Sequence, residues 1–365
     1  MVFGKKSGLD RALVESALED VNDPTDGVAL SSRLRDVEDG KTTNVVIELP
    51  TPVWASRLQV AELVKMAIGK RAPDANIDVR FSFDVKPARP QGSAQSLIPK
   101  AKNIILFASG KGGVGKSTVA ANVASALAKA GASVGLLDAD IYGPSVPTML
   151  GVSQRPEVMG QKLIPVEKFG MKLMSIGFIV DPKQAMSWRG PMLNGALTQF
   201  MRDVEWDELD YLVLDLPPGT GDVQLTIAQN LKVAGAVLVS TPQDVALADV
   251  IRGKAMFDKV DVPVLGIVEN MASFVCGSCG AEHHIFSSGG AGRLATELGV
   301  PLLAEVPLEQ ATRESADLGE PEVLRNPDSA ASKVFTELAS RIGTSVAVTA
   351  AQQSVKPGRG LKIIQ

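Results

Sequence analysis

Cysteine is nearly absent from this chain: 365 residues contain two, Cys276 and Cys279, and none stands earlier. A disulfide framework is therefore excluded, and one tight pair in an otherwise thiol-free chain points to metal or redox chemistry. Histidine is as scarce, and both examples, His283 and His284, fall beside the cysteines. Aromatics make up 4%, too few for the rows of stacking rings that single-strand binders use. Neither charge dominates, with 37 Lys plus Arg against 41 Asp plus Glu and a net charge of −4. No global basic footprint exists, and no nucleic-acid partner is expected. No apolar run approaches the roughly 18 residues that cross a bilayer, so no membrane partner is expected either. The start carries Lys5 and Lys6 with no apolar segment behind them and does not read as a secretory leader; the expected compartment is the cytoplasm.

What is present is ordinary globular material, 45% hydrophobic and 21% charged, in a length that suggests about two domains. Residues 1–85 read as a small α/β unit: a helical pattern to about Val21, an extended stretch over 28–37, a strand over 44–49, a helix over 56–71 and a strand over 77–85. Residues 86–102 hold Pro87, Pro90, Gly92, Ser93, Ser96 and Pro99 without periodicity, the signature of a flexible linker. From Asn103 to residue 345, short apolar runs at 104–108, 133–137, 211–214, 236–240, 264–268 and 302–306 alternate with helical patterns. Continuously apolar strands separated by helices predict a doubly wound, mostly parallel sheet covered on both faces. Residues 346–365 read as a flexible C-terminal tail that, with Pro357, Gly358 and Gly360, is no amphipathic helix.

In a doubly wound sheet ligands bind beyond the carboxyl ends of the strands. Directly after the first strand of the larger domain comes Gly110-Lys111-Gly112-Gly113-Val114-Gly115-Lys116-Ser117-Thr118, followed by an Ala-rich helix. This is G-x-x-x-x-G-K-[ST] in its strand, loop, helix setting. Glycines let backbone N–H groups turn onto phosphate oxygens, Lys116 would neutralise the β- and γ-phosphates of ATP, and the Ser117 hydroxyl would ligate magnesium. Two later strands end in carboxylates, Asp138-Ala139-Asp140 and Asp215-Leu216-Pro217-Pro218-Gly219. Carboxylates on that rim can hold the waters of magnesium or position an attacking one.

Cys276-Gly277-Ser278-Cys279 admits three readings. A redox pair should open a helix, which the glycines disfavour. A zinc site needs four ligands, and His283 and His284 lack the H-x3-5-H spacing of a finger. Two thiolates are half of what a four-iron, four-sulfur cluster takes, and a twofold dimer would supply the rest.

The form K-G-G-V-G-K-S-T resembles the deviant phosphate loop shared by partition and division-site ATPases, nitrogenase iron protein and Mrp/ApbC-type iron-sulfur carriers. Residues 269–279, Glu-Asn-Met-Ala-Ser-Phe-Val-Cys-Gly-Ser-Cys, narrow the resemblance to the Mrp-type carriers, as do Trp188-Arg189-Gly190-Pro191-Met192 and residues 241–247. The resemblance spans about residues 100–345. It implies a cytoplasmic homodimer that hydrolyses ATP and delivers a cluster held by Cys276 and Cys279 to apo-proteins, with cluster-assembly proteins as further partners. It also implies roles: Lys111 reaches the nucleotide of the partner subunit, Asp140 orients the hydrolytic water, and Asp138 and Asp215 support magnesium. Asn270 would hydrogen-bond adenine. The competing reading is a positioning or partition ATPase, ParA- or MinD-like, with a structural zinc. The first unit resembles the MIP18-type domain on Asp23-Pro24-Thr25, without the cysteine that some members carry near Thr51-Pro52-Val53-Trp54.

Overall fold

The computed structural model describes residues 9–89, 96–180, 190–276, 279 and 281–355. It forms two compact units, Met1–Val85 and Lys86–Gln365.

In the first unit, α1 (Arg11–Leu18) starts where Asp10 accepts a hydrogen bond from the Leu13 N–H. Strands β1 (Leu34–Glu38), β2 (Thr43–Leu49) and β3 (Ile77–Phe83) form a sheet in that order, with α2 (Arg57–Arg71) crossing between the parallel pair β2 and β3. Val45, Ile47 and Leu49 alternate to the buried face of β2, and Val60, Val64 and Ile68 form the buried stripe of α2. The stretch 28–37, expected to be extended throughout, opens with a 3-10 turn at Leu30–Arg33. That turn brings the Arg33 guanidinium onto Asp23 and Asp26. Asp23 is fully buried and also accepts from Trp54 Nε1 at 2.8 Å, Ser56 Oγ at 2.6 Å and the Thr25 N–H at 2.9 Å. A buried carboxylate is tolerated here because a cation and three further donors answer it.

The second unit is a sheet of β4 (Ala101–Ala108), β5 (Val134–Asp138), β8 (Val166–Lys168), β9 (Met171–Ser175), β10 (Leu209–Asp215), β11 (Val233–Ser240), β12 (Val264–Val275), β13 (Glu282–His283) and β14 (Leu302–Leu308). The spatial order is β13-β12-β11-β4-β10-β5-β9-β8, with β14 also pairing with β12; only β8 and β13 run antiparallel to their neighbours. Strands β6 (Glu157–Met159) and β7 (Lys162–Ile164) make a separate hairpin. The helices are α3 (Lys116–Lys129), α4 (Val146–Met149), α5 (Gly190–Asp203), α6 (Asp222–Asn230), α7 (Asp244–Asp258), α8 (Gly290–Leu298), α9 (Gln310–Asp317), α10 (Glu322–Arg325) and α11 (Ala330–Val355). This is the doubly wound α/β architecture with central β4 almost entirely buried. No helix among the described residues is long and apolar enough to cross a membrane.

Two boundaries differ from the sequence reading. Of the expected flexible linker 86–102, residues 86–89 and 96–102 are built into the second unit. The buried Asn103 amide accepts from the Ala88 N–H at 2.8 Å and donates to the Lys86 carbonyl at 3.1 Å, Ile98 is buried, and β4 already begins at Ala101. Only residues 90–95 of it lie outside the described residues. The expected tail does not start at 346, because α11 continues to Val355. Phe335, Leu338, Ile342, Val346 and Ala350, spaced three and four apart and all buried, form one uninterrupted apolar stripe. Residues 356–365 lie outside the described part.

Candidate functional site

Strand β4 delivers the phosphate loop to the carboxyl rim of the sheet between β11 and β10. Gly113 and Gly115 both take φ of +80°, the left-handed turn that a side chain resists, and Gly115 is the N-cap of α3. At Gly115 a Cβ would stand 2.1 Å from Asn270 Nδ2, and at Gly110 one would stand 1.9 Å from Asp249 Cβ. Both glycines are therefore demanded by close approach of β12 and α7.

Lys116 opens α3 yet is buried, so its ammonium needs an answering charge. It finds Asp215 Oδ1 at 2.5 Å and Asp140 Oδ2 at 3.9 Å. Ser117 Oγ donates to the other Asp215 oxygen. Asp138 stands beside them at the end of β5, held through one oxygen by the Asp140 N–H at 3.1 Å and through the other by Ser175 Oγ at 3.0 Å and the Val146 N–H at 3.3 Å. Burial, reinforced by the charge of Asp215, pushes the Asp138 carboxyl up to about 7. Burial also raises Asp215, against the pull of Lys116. Asp140 Oδ1 accepts from the Tyr142 and Gly143 N–H groups at 3.2 and 3.3 Å. Asp215 and Asp140 lie on the buried ammonium with Asp138 beside them, hard oxygens of the kind that suit a magnesium ion met through its waters. The glycine turn, the uncapped start of α3 and Lys116 suit the phosphates that magnesium would accompany.

Neighbouring residues that the sequence reading passed over organise this centre. Gln224 donates to the carbonyls of Pro217 and Pro218, each at 3.0 Å, and accepts from the Gly221 N–H at 3.0 Å, which fixes the segment after Asp215. The Gly219 N–H in turn reaches the Ser109 carbonyl at 2.8 Å, at the mouth of the phosphate loop. Lys111 Nζ lies 3.4 Å from Gln243 Oε1, and Thr241 Oγ1 donates to the same oxygen at 2.8 Å. The segment 241–247 carries a family likeness in the sequence, and its Gln243 is a seat for Lys111. Asn270, expected at adenine, is buried and donates its amide to the Val114 carbonyl at 2.8 Å, bracing the loop from behind.

The cysteines lie beyond the far end of the same strand. β12 runs on past Val268 to Val275, and Cys276 follows at once. The strand returns through β13, pairing Phe274 with His283 and Val275 with Glu282, and the Cys276 N–H donates to the Ala281 carbonyl at 2.9 Å. Cys276 is half-buried and Cys279 exposed, and no disulfide joins them. His284 Nδ1 is 3.0 Å from the Ala272 carbonyl; a carbonyl only accepts, so that nitrogen carries the proton. Among the described residues no group of three or more His, Cys, Asp or Glu side chains is arranged to hold a metal. Trp188 and Arg189, like Gly277 and Ser278, lie outside the described residues.

The family model for the NUBPL iron-transfer P-loop NTPases, within the ParA group, matches residues 100–343. The chain belongs to that family. Its similar relatives include the iron-sulfur cluster carrier protein of Pseudomonas fragi, 48% identical over 77% of this chain and 99% of that protein. The carrier of Haemophilus influenzae is 41% identical over 91% of each chain. An Arabidopsis thaliana relative, 54% identical over 66% of this chain and 78% of its own, is named as an iron-sulfur protein required for NADH dehydrogenase, mitochondrial. Among solved structures, a nucleotide-binding protein from Archaeoglobus fulgidus in complex with ADP matches with a TM-score of 0.55 and 42% identity, over 61% of this chain and 88% of that one. The cell division ATPase MinD of Pyrococcus furiosus matches with a TM-score of 0.52 and 26% identity, over 66% and 98%. The second unit is thus an NUBPL-type P-loop NTPase that shares its fold with MinD.

Proposed function

We propose that the chain works as a soluble, cytoplasmic homodimer that binds and slowly hydrolyses ATP and carries a four-iron, four-sulfur cluster, held by Cys276 and Cys279 of both subunits, to apo-proteins. The observation that carries this reading is the position of Cys276 on the direct continuation of β12, the strand whose Asn270 braces the phosphate loop. Relatives named as iron-sulfur carriers support it, and so does ligand counting. One chain offers two thiolates, the cluster takes four, and a twofold axis doubles the set.

At the nucleotide, Lys116 would hold the β- and γ-phosphates in place of its present carboxylate partners, while Ser117 with Asp215 and Asp138 would hold magnesium and its waters. Asp140, fixed by two backbone N–H groups, would orient the attacking water. Lys111 would leave Gln243 and cross to the nucleotide of the partner subunit. ATP with magnesium supplies the cleavable phosphoanhydride; the residues supply position and charge.

Anaerobic reconstitution tests the reading. About two iron and two acid-labile sulfide per chain, in a dimer, are expected. Either Cys276→Ser or Cys279→Ser should abolish that cluster and leave ATP affinity within about twofold, because the thiols and the phosphate loop are separate ligand sets. Zinc at about one per chain, released by substitution of His283 or His284, would instead favour the positioning ATPase with a structural metal.

A further inference from the structure

Two unrelated bonds and one strained residue connect the phosphate loop to the cysteine hairpin within a single strand. Up to Asn270, β12 is fixed. It pairs with β11 and β14, its Glu269 carboxylate accepts from the Ala291 N–H at the start of α8 at 2.8 Å, and its Asn270 amide holds the Val114 carbonyl. Beyond Asn270 the strand changes course. Met271 has φ of +59°, and the four steps from Asn270 to Phe274 answer only two steps on β14, from Val306 to Leu308. Two extra residues are therefore bulged out next to a non-glycine residue in the left-handed region, the form in which a strand is re-aimed. His284, directly after β13, bonds the bulged Ala272 carbonyl, so the bulge and the hairpin are tied to each other.

We infer that Asn270 and Met271 are positioning residues through which nucleotide at the phosphate loop sets the arrangement of the Cys276–Cys279 hairpin. The inward N–H groups of a phosphate loop turn onto the bound anion, and the carbonyls of the same peptides face outward. Val114 is one of those peptides, and its carbonyl belongs to Asn270. Any reorientation of that peptide on binding pulls the amide, and the next residue is the bend that aims the thiols. A ligand with different affinity for two settings of that bend shifts their populations. The inference deepens the carrier reading and rests on it for its biological purpose.

The test uses the cluster-free, reduced, full-length chain, so it stands whether or not iron is held. Reaction of Cys276 and Cys279 with an aromatic disulfide reagent is timed with and without saturating ADP and magnesium, under conditions where sedimentation shows the same oligomeric state throughout. Nucleotide should change the wild-type rate on the order of fivefold or more. Asn270→Ala, measured at its own saturating concentration, should bring that ratio to within about twofold of one while both thiols still titrate. Met271→Gly, which relieves the left-handed strain and frees the bend to take other conformations, should do the same at its own saturating concentration of ADP. A wild-type rate indifferent to nucleotide overturns the inference, and so does a full ratio retained in the variants. If Asn270→Ala fails to fold or to bind ADP, Met271→Gly decides alone. Loss of iron binding in the reconstitution described above would sink the carrier reading and leave this measurement untouched.

Discussion

The phosphate loop and the cysteine hairpin stand on one sheet and are built on opposite terms. At the loop every charge is answered within one chain: Lys116 by Asp215 and Asp140, Asp138 by Ser175 and two backbone N–H groups, and Lys111 by Gln243. At the hairpin one thiol is half-buried, the other is exposed, and the set is half of what the proposed cargo needs. On the proposed reading, nucleotide would be held mostly within one chain, with Lys111 alone reaching across, whereas a four-iron cluster would take the thiols of a second copy. The contrast separates the two kinds of failure, because damage to the loop should be felt as lost binding and as lost stability, and damage to the hairpin as lost cargo only.

Lys116→Ala should break the comparison hardest. Truncating one member of a buried charge pair costs about 2–5 kcal/mol in binding, so ATP affinity should fall at least about 30-fold by calorimetry. Asp215 would also lose its cation in a buried site, and the denaturation midpoint should drop. Wild-type affinity in this variant would remove the phosphate-loop assignment. Next in size is Asp140→Ala, which should slow hydrolysis on the order of 100-fold through lost orientation, with affinity changed only a few-fold. Equal loss of both would show that Asp140 holds ligand rather than water.

Lys111→Ala sharpens the comparison by asking whether the loop is as self-contained as it looks. Its partner within the chain is a neutral glutamine at 3.4 Å, a weak contact to surrender. Hydrolysis should fall while affinity drops less than in Lys116→Ala. A mixed dimer of one Lys111→Ala and one Asp140→Ala subunit should retain at most one competent site. Turnover in that mixture at the wild-type level would place Lys111 outside the reaction.

Motif and period made the doubly wound sheet and its phosphate loop legible, because β4, β5, β10 and β11 are buried on both faces and leave continuous apolar runs. The strands over 157–175 were not legible. β6, β7 and β8 have three residues each and carry Glu157, Lys162, Glu167 and Lys168, too short and too polar to show a period of two. β12 seemed to end at Val268 because Glu269 and Asn270 interrupt the apolar run; both are buried because an N–H of α8 and the Val114 carbonyl satisfy them. Asn103 and the Ala-rich continuation of α11 misled in the same way. A long-range bond to the Ala88 backbone makes part of a proline-rich segment structural, and small residues at helical spacing carry no strong hydrophobic signal. Gln224 and Gln243 were missed because a lone glutamine has no motif, although Gln224 stands shortly after the Asp215–Gly219 segment and Gln243 lies inside the segment 241–247 that carries the family likeness.

The smallest expected effect tests whether the link between loop and hairpin is fixed by bonding or by charge. Glu269 is buried with Oε2 on the Ala291 N–H, while Oε1 is without a hydrogen-bond partner. Burial, with help from the neighbouring Glu305, holds its carboxyl above the ordinary glutamate value of 4.5; the Ala291 N–H first, then Arg293 and His284, pull the other way. A carboxyl raised by folding binds its proton more tightly in the native state, so its contribution to stability is complete below pH 4.5 and is lost as pH rises through the raised value. Glu269→Gln keeps an acceptor for Ala291 and has no charge to bury. Its denaturation midpoint should exceed that of the wild type at pH 8, and the gap should close as the pH is lowered toward 4.5. The response of the cysteines to nucleotide should be unchanged, since Asn270 and Met271 are intact. A gap that widens toward acid would mean that the native fold prefers Glu269 ionised, and Arg293 and His284 would then be its governing partners.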